Sequence, residues 1–489
     1  MRSWAWAAAC GLAAAAGASP AFAGDEEMKK ELEETRAQVR RLTQRVEELE
    51  GRGAGGDLGK AVEKYLQEHP PAACGVTTPF SKSIRISGHV LFWWERLDGV
   101  YRTGDPAGED VNEVGWLRVS LQADADIAKD LRARVEIRDA RASGQEPATN
   151  GQLQTATGGT DLKQGWFEAD DLFGCGTRTR VGRQVLSYGD QRLLGELDWH
   201  TYGRSFDAAL FSHLFEGPGT KVDLFAARVV ERNFALAAPP PDNDDRTLLG
   251  LYTVTPKALH HSDLDAYLLL VKDNLETAGE AGGMGNTTIW TGGTRIVGAR
   301  NALDWGTEWA IQRGELSGDR LSAWAGHARA GYTMADTGWT PRLGVEWDMA
   351  TGDDDPADGD RESFQTLFPT NHDKYGILDV AAWQNLQAWR ASVGLHPAKN
   401  WSIDADWWRL YVEDGDDAWY GANGVPIRGG APGASKYLGS EADLVLSWRP
   451  NERMKVAVGG AQFFDGGFVR DTGGGNDSFW FYIRVQVWF

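Results

Sequence analysis

The chain has 489 residues, of which 60 are glycine, 22 tryptophan and only three cysteine, and its formal charge is −20. That excess of acid argues against a nucleic-acid binder and against a polybasic membrane-surface protein. The length exceeds that of most single soluble cores. The tryptophan content fits the interface belts of a membrane protein, where an indole keeps its body apolar and its N–H wet.

Residues 1–23 read as a targeting segment. Arg2 supplies a positive start, an alanine-rich apolar run follows, and Ala21-Phe22-Ala23 fits the small-x-small cleavage rule, so the mature chain is expected to begin at Gly24. Cys10 is a candidate for lipidation, but the apolar run before it is short and lacks a leucine at the expected place. Beyond residue 23 there is no apolar run of about 20 residues, so no transmembrane helix is predicted. A chain of this kind that spans a membrane does so as a closed barrel, because closure satisfies every backbone group in lipid.

Residues 24–50 are charged and helix-favouring. Met28, Leu32, Thr35, Val39, Leu42, Val46 and Leu49 fall at alternating spacings of four and three, the seam of a short coiled coil. Valine ahead of leucine leans toward a parallel dimer, a trimer is the other oligomer, and a lone amphipathic helix is the reading without self-association. Residues 51–82 read as a periplasmic linker, Gly-rich over 51–60, helix-favouring over 57–68 and broken at Pro70-Pro71.

From Ser83 onward the hydrophobic period becomes two. Ile84, Ile86, Gly88, Val90, Phe92 and Trp94 alternate with Arg85, Ser87 and His89. Leu117, Val119 and Leu121 alternate with Arg118, Ser120 and Gln122, and Leu343, Val345 and Trp347 with Arg342, Gly344 and Glu346. This is a strand pattern with one apolar and one charged face. A soluble sandwich would bury the apolar face; a membrane barrel turns it to lipid. Two features favour the barrel. The connections alternate between short (127–130, 215–219, 396–400, 449–453) and long (96–113, 140–161, 232–246, 351–382, 413–437), a strict alternation that barrels of the outer membrane keep. The chain also ends on an alternating strand, Phe479 to Phe489, with a terminal aromatic. The expected fold is all-β: a transmembrane antiparallel barrel of about 18 strands over residues 83–489, both ends periplasmic, preceded by the short α-helical coiled coil.

No G-x-S-x-G, H-E-x-x-H or Cys–His arrangement is present, so no catalytic constellation and no cofactor is predicted. The acidic run 353–360 lacks EF-hand spacing and reads as a solvated, disordered loop, with a cation bridge to lipopolysaccharide phosphates as the other reading. Phe364, Leu367 and Phe368 are too apolar for a free outer loop and are expected to fold inward or pack on themselves. His260-His261 reads as a surface pair rather than a metal site. Cys74 and Cys175 fall on the same side of the barrel in an oxidising compartment and are predicted to form a disulfide.

Two stretches carry more than a generic pattern. One is V-G-R-Q-V-L-S-Y-G-D-Q-R-L over 181–193, continuing through Asp198-Trp199 to G-R-S-F-D over 203–207. The other is T-G-D-D-D-P-A-D-G-D over 351–360, followed by S-F-Q-T-L-F-P-T-N-H over 363–372, Tyr375-Gly376 and Gln384-Asn385-Leu386. Together they resemble the alginate export family of bacterial outer-membrane porins, over roughly residues 83–489; the coiled coil lies outside the resemblance. The resemblance implies an 18-stranded barrel with an arginine-rich constriction for a polyuronate, sometimes closed by inward loops. The alternation places Arg132, Arg134 and Arg138 on the inner face of one strand, and Arg118, Arg342, Arg390 and Arg484 share that parity. Arg183, Arg192 and Arg204 belong to the family-like motif, and a loop-base packing role is their other reading. A ladder of guanidinium forks could pass a carboxylated sugar from site to site; alternatively the arginines pair with Asp124, Glu136, Glu346 and Asp348 and stiffen the wall. The expected function is a passive pore for a hydrophilic, anionic solute or alginate-like polysaccharide. The rival is a tether joining outer membrane to cell wall through the coiled coil, and a third reading is a sheath around another protein.

Overall fold

The structure, a computed structural model, describes residues 83–99, 112–143, 159–230, 246–280, 282–372, 374–475 and 477–489. All lie in one compact unit, Gly75–Phe489. The expected signal segment, coiled coil, linker and Cys74 lie outside the described residues; so, therefore, does the expected Cys74–Cys175 pairing. Cys175 itself is exposed in a turn.

Eighteen long strands and one two-residue strand make a single sheet. In chain order the long strands are β1 (Ser83–Asp98), β2 (Asn112–Ala128), β3 (Leu131–Ser143), β4 (Gly159–Ala169), β5 (Thr177–Gln184) and β6 (Phe206–Phe215). Then come β7 (Thr220–Val229), β8 (Thr247–Leu259), β9 (Ser262–Ala278), β10 (Met284–Arg300), β11 (Leu303–Leu316) and β12 (Asp319–Thr333). The last six are β13 (Arg342–Ala350), β14 (Leu386–Ala398), β15 (Trp401–Tyr411), β16 (Tyr437–Asn451), β17 (Met454–Asp465) and β18 (Ser478–Trp488). Each pairs antiparallel with its sequence neighbours. β18 then pairs with β1, from Phe479↔Asp98 to Trp488↔His89, and the sheet closes. At that seam Gly88 and Phe489 exchange two backbone hydrogen bonds of 3.0 and 3.1 Å. A Cβ on Gly88 would stand 2.7 Å from the Phe489 ring and 2.2 Å from the Ser120 carbonyl, so only glycine fits there.

The two faces are inverted relative to a soluble sheet. On β2, Leu117, Val119 and Leu121 are exposed, while Trp116, Arg118 and Ser120 between them are buried. The same holds on β3, where Val135 and Ile137 face out and Glu136 and Arg138 face in. An apolar outside over a polar inside is what lipid demands of a closed barrel. Outward tryptophans form a girdle: Trp309 packs on Trp324 (5.9 Å) and Trp347 (6.0 Å), Trp347 on Trp389 (6.4 Å), and Trp407 on Phe464 (6.0 Å). A second group nearer the other rim includes the stacked Trp401–Trp448 pair at 5.6 Å. Such paired belts mark the two membrane interfaces. No helix among the described residues is long and apolar enough to cross a membrane.

One rim carries only short connections, and both Ser83 and Phe489 lie on it. The other carries the long ones, but not in the strict alternation expected. β9–β10 and β11–β12 are joined there by 279–283 and by Ser317-Gly318 alone. Ser317 and Gly318 both have positive φ (56° and 89°), the two-residue hairpin geometry that matches strand twist. Gly285 lies so close to Gly318 that a Cβ would stand 2.5 Å from its Cα, so the two tight turns nest against each other.

Candidate functional site

Three of the long connections turn inward. Residues 185–205, 351–385 and 412–436 contribute Leu193, Leu194, Phe364, Phe368, Tyr375, Trp383 and Trp419 to one buried cluster with the inner-wall residues Phe206, Phe225, Leu248, Ile289 and Leu321. The segments are joined by backbone: Phe368 N–H donates to Leu193 O (2.9 Å) and Gly195 N–H to Phe368 O (2.8 Å). Tyr188 stacks on Tyr252 at 4.5 Å and on Phe225 at 5.4 Å, anchoring the first segment to the wall. Trp419 donates from Nε1 to Val380 O (2.7 Å), and the Asn385 amide donates to Asp414 O and Ala418 O, tying the third segment to the second. The result is a plug across the lumen. The apolar Phe364, Leu367 and Phe368 are part of it. The acidic run is more ordered than expected: Asp353 is buried, and its carboxylate accepts the backbone N–H groups of Asp355 and Glu362, so the run turns rather than floats.

The polar centre of the plug is Arg192, whose side chain is 2 % exposed. Its guanidinium reaches Glu346 (2.6 Å) and Asp348 (2.8 Å) on β13 and Asp190 (3.0 Å) on its own segment. It also donates to the Tyr375 hydroxyl at 3.0 Å. Burial pushes the Asp190 carboxyl up, but Arg192 outweighs it and holds it well below the usual carboxylate range. The mirror effect keeps Arg192 charged: burial lowers it, Asp348 and Asp190 raise it further. His327, Glu346 and Asp348 bring ligand atoms within 4.8 Å of one another, spacing that could hold a metal. The Arg192 guanidinium already bonds two of the three, so an arginine stands where a cation would.

A second group, in which Arg118 and Arg138 are buried and Asp198 is half-exposed, holds the other end of the same segment. Asp198 contacts Arg118 (3.4 Å) and Arg138 (3.2 Å), and its backbone carbonyl accepts from Arg118 at 2.8 Å. Burial raises the Asp198 carboxyl, and Arg118 and Arg138 bring it below the ordinary value. Beside it Trp199 stacks on His372 (3.9 Å), meets Trp480 (6.0 Å) and Tyr482 (5.3 Å) edge-on, and carries the Arg484 guanidinium 4.3 Å over its ring.

The sequence-expected arginines are therefore distributed among distinct roles. Arg118, Arg138 and Arg192 hold the plug. Arg204 does so through backbone, donating to the carbonyls of Gly195, Phe368 and Pro369. Arg132 and Arg134 face the lumen nearer the short-turn rim, paired with Asp170 (2.8 Å) and Asp124 (2.7 Å). Arg342 forks onto Asp304, and Arg390 onto Asp406 with a third contact to Glu346. Arg183 is on the outer face: its strand partner is Gly165, its fork closes on Asp207 (2.9 and 3.0 Å), and neither points into the lumen.

On the short-turn side of Arg192 the wall and plug border a half-open cavity of about 290 Å³. Arg329, Arg342, Arg390, Lys374, Arg192, Ser392, Asp190 and Glu346 line it. Arg342 uses Nε and Nη2 on Asp304, leaving Nη1 uncommitted to that pair, and Arg329 only approaches Asp304, at 3.6 Å. Sequence reasoning missed Arg329 and Lys374. Arg329 has the inner-face parity of β12 and could have been found by it; Lys374 lies in the plug, where no period applies. The Trp199 aromatic group was missed too, because its members come from β18 and two plug segments, with Trp93 of β1 added at 6.2 Å.

The alginate export family profile matches residues 102–482. A comparison with curated proteins gives no match. Among solved structures, OccK9 (OpdG) of Pseudomonas aeruginosa aligns with a TM-score of 0.57 at 10% identity, over 84% of this chain and 100% of that one. OpdQ of the same organism aligns at 0.55 and 11%, over 84% and 99%. OccK2 (OpdF), solved in complex with glucuronate, aligns at 0.55 and 11%, also over 84% and 99%.

Proposed function

The chain belongs to the alginate export family, and on that basis we propose that it is a passive outer-membrane channel whose cargo is an anionic, uronate-like carbohydrate. That the barrel is an outer-membrane channel for solutes follows from the family and from the fold it shares with the Occ porins. The anionic cargo rests on one observation above all, the cavity below Arg192. Five cationic side chains, Arg192, Arg329, Arg342, Lys374 and Arg390, line it against two carboxylates, Asp190 and Glu346. Guanidinium forks recognise carboxylate by two parallel hydrogen bonds, and Arg329 and Arg342 keep donors that their common partner Asp304 does not saturate. Arg132 and Arg134 extend the run of inner-face guanidinium groups toward the short-turn rim. A glucuronate complex of a similarly folded porin accords with this cargo class.

In this reading the arginines exchange wall carboxylates for solute carboxylates, so each step is close to balanced and the solute is not trapped. The test is a planar bilayer with purified protein under a salt gradient. The expected result is anion selectivity, with glucuronate reducing the chloride current. Replacing Arg329, Arg342 and Arg390 together by Ser should shift the reversal potential toward cations and abolish the glucuronate effect. A cation-selective wild type, or a selectivity indifferent to those three residues, would overturn the cargo assignment and leave the channel standing.

A further inference from the structure

Toward the long-loop rim, the apolar outer band ends on a cation on one strand after another. On β3, Val135 and Ile137 give way to Asp139 and Arg141; on β5, Val181 to Arg183; on β7, Leu224 and Ala226 to Arg228. On β9, Leu268 and Leu270 give way to Lys272; on β11, Trp309 and Ile311 to Arg313; on β15, Trp407 to Arg409. All six strands run in the same direction, so each brings its cation to the edge of the band just beyond the tryptophan girdle. At the opposite edge many outward positions, such as Leu303, Tyr332, Leu343 and Val487, are apolar or aromatic and exposed, with Arg300 a cation beside Leu303.

Some of these cations are matched within the wall. Arg183, Asp207 and Arg228 stand in one cross-strand row, and Arg141 forks onto Asp139 with both bonds at 2.7 Å. Others are not. Among the described residues, Lys272, Arg313 and Arg409 are exposed and have no carboxylate within ion-pair distance. Arg409 is steadied over the rings of Tyr437 (5.1 Å) and Tyr411 (5.9 Å), and Arg313 by the Gln312 carbonyl (2.7 Å). Neither contact neutralises a charge. At the edge of the hydrocarbon layer a cation costs little and stands level with the headgroups, where a lipid phosphate can pair with it. Alternate strands are about 10 Å apart, so neighbouring cations of the belt can engage separate phosphates of one headgroup.

We propose that this belt binds lipopolysaccharide through the phosphates of its lipid A, which fixes the long-loop rim as the external one. The proposal rests on the outer-membrane reading of the barrel and not on what the lumen carries. Native mass spectrometry of the full chain in detergent tests it, with bisphosphorylated lipid A, dephosphorylated lipid A and phosphatidylglycerol as probes. The expected result is tight binding of the bisphosphorylated lipid alone. A Lys272→Gln/Arg313→Gln/Arg409→Gln variant should bind it at least tenfold more weakly, whereas Arg300→Gln, at the other rim, should not. Equal binding by the triple variant, or equal binding of the dephosphorylated lipid or of phosphatidylglycerol by wild type, overturns the proposal. If the triple variant fails to give a heat-modifiable folded band, the wild-type lipid series decides. Absence of conductance in wild type would overturn the channel reading and leave this proposal standing.

Discussion

At the scale of single residues, Arg192 is the point on which the plug depends. It is buried among Asp190, Glu346 and Asp348, and among the described residues it is the cation that lies closest to each of the three. Breaking a buried pair from one side leaves uncompensated charge, at a cost of about 3–5 kcal/mol. Arg192→Met should therefore release the first and second plug segments while the wall stays folded. The measurement is single-channel conductance, expected to rise, together with protease cleavage within 185–205 and 351–385. Arg192→Lys should fall between wild type and Met, because an ammonium keeps the charge but cannot reach Glu346, Asp348, Asp190 and Tyr375 at once. Indifference of both readouts to Arg192→Met would show that the apolar contacts alone hold the plug.

At the scale of elements, two junctions make predictions. Glu280, in the β9–β10 connection, lies 2.8 Å from Arg361 beside the plug residue Asp353. Burial, only partly offset by Arg361 and reinforced by Asp353, pushes its carboxyl up to about 7. A raised acid binds its proton more tightly in the folded state, so the protonated Glu280 carboxyl beside Asp353 stabilises this junction most in acid, and that contribution is lost as pH rises from about 4.5 through about 7, although the Arg361 contact itself favours the ionised form. Protease access to residues 351–362 should thus be greater at pH 8 than at pH 6, and Glu280→Gln should remove the difference. The β1–β18 seam gives the second: Gly88→Val must displace Phe489 or the Ser120 carbonyl, and should lower the temperature at which the folded band converts on a heat-modifiability gel. Most strands were readable because a period of two runs through them; where the alternation is weak, as in the fourth to sixth and ninth to eleventh, the number of about 18 leaned on the even count that two periplasmic ends require. The short β9–β10 and β11–β12 connections were not readable, because Gly282-Gly283 and Ser317-Gly318 are equally good punctuation for long loops and for tight hairpins. Loop composition did betray the plug at Phe364, Leu367 and Phe368. Parity placed Arg132, Arg134 and Arg138 inside, but it could not say which arginines meet solute. Arg138 and Arg118 end up under residues 185–205, a segment whose inward turn leaves no periodic trace.

At the scale of the whole molecule, the inner wall is divided. One sector, from β6 to β12, offers Phe206, Phe225, Leu248, Ile289 and Leu321 to the plug. On the side of β12 to β14, the Arg329, Arg342 and Arg390 side chains border the cavity instead. Withdrawal of the plug should therefore expose an apolar stripe and enlarge a charged one, so an Arg192→Met channel is expected to pass larger solutes while keeping its anion preference; loss of that preference would mean that the plug, not the wall, sets it. The seam has a consequence of another kind. Trp480 donates to Glu95 from 385 positions away, and Ser478 to the Gly99 carbonyl from 379. The contacts that shut the cylinder are thus among the most remote in the chain, and the loop to be closed spans most of it. The first strand waits, unpaired on one side, until the last has been synthesised and exported. Closure cannot precede the arrival of the last strand, and until then β1 presents a bare sheet edge that needs cover.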